Sequence, residues 1–97
     1  MQVIPGSHKW SPSAELLDGR LFLREDLPET KEWIDKAKIV EMNQGDLLFF
    51  HAALFHAAGK NHSKTSKNAL VFTYHGEATK PIEDTKSVKY SEVCISN

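Results

Sequence analysis

Residues 45–61 run Gly-Asp-Leu-Leu-Phe-Phe-His-Ala-Ala-Leu-Phe-His-Ala-Ala-Gly-Lys-Asn and constrain the fold more than any other part of the chain. Two histidines, His51 and His56, sit inside this longest apolar run. An imidazole taken out of water costs free energy unless a hydrogen bond or a metal ion satisfies its nitrogens. The preceding Asn43-Gln44-Gly45 is a turn signal, and the nearly unbroken apolar character of residues 46–51 predicts a strand buried on both faces. One reading makes His56 a metal ligand on the wall of a β-barrel, although a run of this kind alone more often holds a structural histidine. The competing reading is a core histidine bonded to backbone, and His51 fits that description as a satisfied histidine at a strand end.

Residues 67–75 carry the clearest strand pattern. Leu70, Phe72 and Tyr74 share one face, while Lys67, Ala69, Val71, Thr73 and His75 share the other. Large side chains on one side and small ones on the other suit a barrel wall between a core and a cavity, with Lys67 on the cavity side. Gln2-Val3-Ile4 reads as the end of a strand broken by the Pro5-Gly6 turn pair, and residues 37–42 read as another strand. Residues 28–35 predict a short helix with Pro28 at its start and acids in its first turn. Residues 10–28 are expected to form an irregular connection holding a small apolar patch, Leu21-Phe22-Leu23. Trp10 and Trp33 read as packing residues, and the mixed charges of residues 25–38 as a solvated helix face. Residues 77–97 are expected to be a polar surface tail with one weak strand at 87–90. The fold class is mainly β with one short helix, and 97 residues make a single domain, 1–97. A chain that opens in mid-strand is expected to be part of something longer.

Charge and composition exclude several partners. A formal charge of -1 gives no electrostatic reason to expect nucleic acid or an anionic membrane. Cys94 is the only cysteine, so an intrachain disulfide is impossible and a thiolate metal site is disfavoured. The longest apolar run is too short to span a bilayer. Pro5 and Gly6 interrupt the N-terminus before a signal-peptide core forms. The expected location is cytoplasmic.

Val3-Ile4-Pro5-Gly6-Ser7-His8, the Gly-Asp-Leu-Leu-Phe-Phe-His strand, Leu54-Phe55-His56 and Asn61-His62-Ser63 follow in an order and spacing that resemble the C-terminal part of the phytanoyl-CoA dioxygenase family. The resemblance runs over residues 2–76. It implies a partial double-stranded β-helix, a cupin-like jelly-roll. It also implies Fe(II), with 2-oxoglutarate as cosubstrate, and hydroxylation of a C–H bond of a small organic substrate as 2-oxoglutarate is decarboxylated to succinate. In such enzymes a two-histidine, one-carboxylate triad holds iron on one face and leaves positions open for cosubstrate and oxygen. By this resemblance His56 corresponds to the second metal histidine. Lys67, eleven positions later, corresponds to the basic residue that grips the far carboxylate of 2-oxoglutarate.

The chain departs from the family pattern at three places. Lys67 stands where the family usually has Arg, keeping the charge but losing the planar two-point grip. Ala58 stands where a Ser often lies, two residues after the metal histidine. No His-x-Asp pair precedes His56, so the first histidine and the carboxylate are expected from residues outside this chain, and the lone chain from an incomplete enzyme. His75-Gly76-Glu77 has ligand-type spacing, but eight extended residues from Lys67 to His75 span about 26 Å, too far for one diacid to bridge. His51, His56 and His62 together suggest zinc only weakly, because a hairpin would spread the rings apart. Ser7 and His8 either line the substrate mouth or form a capped turn. The alternative function is a catalytically inactive jelly-roll module for binding or structure, including a zinc-binding one. Self-association, or pairing with a missing N-terminal half, is expected to cover the apolar faces at residues 47–50 and 70–74.

Overall fold

The computed structural model describes residues 1–11 and 14–95. Pro12 and Ser13 of the expected connection, and the last two residues of the expected tail, lie outside them. The described chain holds two small antiparallel sheets, one α-helix and two 3-10 turns.

The first sheet is built around β1 (Gln2–Val3), which pairs with β4 (Lys38–Ile39) on one side and β5 (His56–Ala57) on the other. Gln2 lies opposite Ile39 and Ala57, and Val3 opposite Lys38 and His56. The Val40 N–H donates to the Met1 carbonyl at 2.8 Å and extends the ladder. The strands expected at residues 2–4 and 37–42 therefore form and pair with each other, though as shorter elements.

The second sheet is a hairpin of β2 (Ala14–Leu17) and β3 (Arg20–Leu23), where an irregular connection was expected. Its turn is Asp18-Gly19, with φ of 48° and 69°. Positive φ at both central residues is what a type I′ turn needs, and its twist matches that of the flanking strands. Asp-Gly between Leu16-Leu17 and Leu21-Phe22 carries that signal in the sequence.

The helix α1 (Pro28–Ile34) forms as the sequence predicts, with Pro28 in the first turn, where a missing N–H costs nothing, and Glu29 beside it. Lys36 closes an i,i+4 pair with Glu32 at 3.2 Å and lies 4.8 Å from the Trp33 ring centre. Trp33 stacks on Trp10 at 4.6 Å, and Trp10 meets Phe55 edge-on at 6.1 Å. The two tryptophans are packing residues that join the helix to the strand carrying His56. The buried positions among the described residues are Ile4, Ser7 and Thr30, the last with a hydroxyl that finds no partner among them.

Two expected strands do not form. Residues 46–50 follow the predicted turn, where the Asn43 N–H donates to the Asp46 carboxylate at 2.7 Å and Gly45 takes φ 94°. Leu47 and Phe49 are nevertheless about four-fifths exposed, so burial on both faces is not realised. Residues 67–75 likewise join no sheet, with Leu70 88% exposed. β5 is consequently an edge strand, paired to β1 alone.

The tail is more structured than expected. Instead of a strand at 87–90, residues Lys86–Lys89 form a 3-10 turn. The Lys86 N–H donates to the Gly19 carbonyl at 3.1 Å, and its ammonium meets Asp18 at 2.9 Å. The tail thus docks on the hairpin turn. A Cβ at Gly19 would lie 3.0 Å from the Lys86 side chain and 3.2 Å from its backbone nitrogen.

Candidate metal and substrate site

His56 owes its position to residues at the start of the chain. The Ile4 N–H donates to the Phe55 carbonyl at 2.9 Å, and the Phe55 N–H donates to Ser7 Oγ at 2.9 Å. Both main-chain polar groups of Phe55 are therefore held by residues about fifty positions away, and the next residue is His56. Gly6, at φ 80°, lets the chain leave the Pro5 turn and enter the 3-10 turn Ser7–Lys9 with Ser7 fully buried. The buried Ser7 oxygen thus accepts a hydrogen bond, and the part-buried Phe55 N–H gains an acceptor.

The ring of His56 is oriented in turn. Its Nδ1 lies 2.9 Å from the Leu54 carbonyl oxygen. A carbonyl only accepts, so Nδ1 carries a proton, and in the neutral ring the lone pair is on Nε2. Metal-binding histidines are commonly fixed this way, by donating their other ring N–H to a backbone carbonyl. Phe50 lies against the ring at 4.9 Å.

His51 is held in the opposite form. The Ala53 N–H donates to His51 Nδ1 at 3.0 Å. A backbone N–H only donates, so in the neutral ring the proton sits on Nε2. His51 bonds to backbone as the sequence suggested, though it is exposed and no strand ends at it, and in this form Nε2 offers a donor rather than a lone pair. His8 stands beside it, with ring centres 5.4 Å apart.

His51 and His56 both line an open cleft of about 610 Å³. Its other described walls are Trp10, Ser11, Ala14, Leu21, residues 52–55 and Ile82. Hairpin, site strand and tail each contribute to it. Ser7 was a candidate for the substrate mouth, and the structure gives it a different task, holding the site strand from behind. Its signal in the sequence was a small hydroxyl residue after Pro-Gly, which does not reveal a partner 48 positions away.

The remaining candidates lie elsewhere. Lys67 is exposed, is not among the residues lining this cleft, and lies beyond a turn closed by Asn61, whose Nδ2 donates to the Thr65 carbonyl at 2.8 Å. His75 lines a separate cleft of about 350 Å³, and its Nε2 is 3.5 Å from Glu92. No three His, Cys, Asp or Glu side chains converge on a metal position among the described residues. No helix among them is long and apolar enough to cross a membrane.

The family model of phytanoyl-CoA dioxygenase (PhyH) matches residues 1–69. Dioxygenase olcK of Penicillium canescens is 30% identical over 82 residues, 84% of this chain and 22% of that protein. Dioxygenase cdmD of Talaromyces verruculosus is 29% identical over 82 residues, again 84% and 22%. The chain therefore spans about a fifth of the length of these relatives. No solved structure matches it.

Proposed function

The chain belongs to the phytanoyl-CoA dioxygenase family, and from that premise we propose that it is part of an Fe(II)- and 2-oxoglutarate-dependent dioxygenase. His56 supplies one iron ligand and Lys67 anchors the cosubstrate. The observation that carries this reading is the orientation of His56. Ser7 and Ile4 fix its strand, Leu54 takes its Nδ1 proton, and Nε2 is left as a free donor atom at a cleft.

The residues present fit one position of a facial ligand set and not the whole of it. The other histidine and the carboxylate are proposed to come from further sequence of the whole protein. When bound in such a set, iron with 2-oxoglutarate supplies the oxidising chemistry of the family. This chain's own part is to present Nε2 of His56 in one tautomer, and to offer a cation at Lys67 for a carboxylate. The jelly-roll is a proposal on the same footing. The free edge of β5 and the exposed faces at 46–50 and 67–75 are where additional strands would pair.

Mn(II), a paramagnetic stand-in for Fe(II), tests the reading even when binding is weak. Substoichiometric Mn(II) is expected to broaden the His56 ring resonances of this chain before those of His62 and His75. In the His56→Ala variant, uniform loss of all selective broadening is expected. Equal broadening of every histidine would overturn the assignment and favour an inactive jelly-roll module.

A further inference from the structure

The cleft beside His56 is chemically one-sided. Its described lining residues include no Lys, Arg, Asp or Glu, and its walls are mostly Trp10, Leu21, Leu54, Phe55 and Ile82. Its polar side chains are Ser11, His51 and His56. Away from the metal position, a charged ligand group brought against such walls would lose hydration without gaining a counter-charge from a side chain. At about 610 Å³ the cleft is of the size that holds a small organic molecule, where a few convergent polar groups set orientation.

The tautomers decide which polar group does what. If Nε2 of His56 is given to a metal ion, as the preceding reading has it, His56 has nothing left for a substrate. His51 cannot share that work, because its Nδ1 is occupied by the Ala53 N–H and its Nε2 carries the proton. It can only donate. Two histidines five residues apart on one cleft are thus assigned opposite tasks by two different backbone atoms, the Leu54 carbonyl and the Ala53 amide.

We propose that this cleft takes an uncharged, predominantly apolar substrate bearing an acceptor oxygen, and that His51 is its specificity-determining residue, donating Nε2–H to that oxygen. The proposal rests on the reading of His56 as a metal ligand for its context, and on the cleft and His51 for its content. Lys67 lies outside the residues lining the cleft, so the protein's own side chains offer the substrate no cation there. Ile82 lies beyond residue 69, where the family match ends, and closes one wall of the cleft from the tail.

The experiment uses progesterone as an uncharged ketone probe and octanoate as an anionic one. Binding to the chain is followed by equilibrium dialysis, and the histidine tautomers by two-bond nitrogen–proton correlation. Progesterone is expected to bind more tightly than octanoate and to shift His51 Nε2 while that ring keeps the Nε2–H form. His51→Phe should weaken progesterone binding about fivefold, the worth of one neutral hydrogen bond. His51→Gln, which keeps an N–H donor, should restore part of the loss. Preference for octanoate, an Nδ1–H form of His51, or equal binding by wild type and His51→Phe overturns the proposal. Failure of Mn(II) to select His56 would instead remove the metal reading and leave these results untouched.

Discussion

The strand carrying His56 and the segment carrying Lys67 have similar apolar, strand-forming sequences, yet only the first is held in place. Val3, Ile4 and Ser7 reach across about fifty positions to fix residues 55 and 56. Residues 67–75 alternate more cleanly than any other part of the chain, but no strand among the described residues pairs with them, and they remain irregular and exposed. A strand's backbone groups are satisfied by a neighbour rather than by the strand itself. Alternation states which face would be buried; it does not supply what buries it.

The sharpest break of this comparison would be chemistry from the lone chain. One anchored histidine and one unanchored lysine are expected to give no chelator-sensitive succinate from 2-oxoglutarate. Succinate formed by the purified 97-residue chain would show that the two regions assemble a site unaided.

Next in size is association through the unanchored region. Leu47, Phe49, Leu70, Val71 and Phe72 are each at least seven-tenths exposed, a template for pairing with another chain. Sedimentation is expected to show concentration-dependent assembly, reduced by placing Asp at Leu70 and Lys at Phe72. A sharp monomer at all concentrations would mean that these faces are covered from within.

On the anchored side, Ser7→Ala leaves the Phe55 N–H without its acceptor. The expected cost is about 1–3 kcal/mol, read as faster amide exchange at Ile4, Phe55 and His56. Thr65→Ala, in the unanchored region, should fall within about 0.5 kcal/mol of wild type. Equal effects would erase the distinction between the regions.

The hairpin and tail form an intermediate case. Gly19→Ala forces an L-residue into φ 69° and against Lys86, so a loss of about 1–2 kcal/mol is expected. Amide exchange at Lys86 would report it.

The smallest effect is electrostatic. The Lys86 ammonium beside Asp18 holds that carboxyl below its ordinary value of 3.8, through a hydrogen bond first and charge second. A depressed carboxylate contributes its stabilisation above the unfolded pKa and loses it as pH falls through the folded one. The tail–hairpin contact should therefore be intact at pH 5 and weaken below about pH 3.8. Because Asp18 is on the surface, the change should be small and screened by salt. Arg24 holds Asp26 down by the same physics, within one turn.

By itself the sequence determined what depends on neighbours along the chain. Pro28 and the acids after it specify α1, Gly45 specifies a turn only a residue tolerant of positive φ can make, and the Ile-Pro-Gly-Ser-His and Leu-Phe-His runs specify the family. The Asp18-Gly19 hairpin was equally local, its Asp-Gly signal obscured by the irregular composition around it. Tertiary structure decided the rest: that Ser7 turns inward to hold Phe55, that Ile82 comes back to wall the cleft, and that residues 67–75 pair with no strand among the described residues. It also decided the two histidine tautomers. Both rings are the same residue in the same apolar run, and only the backbone atom within reach of each Nδ1, an oxygen at Leu54 or an N–H at Ala53, makes one a lone-pair donor and the other a proton donor.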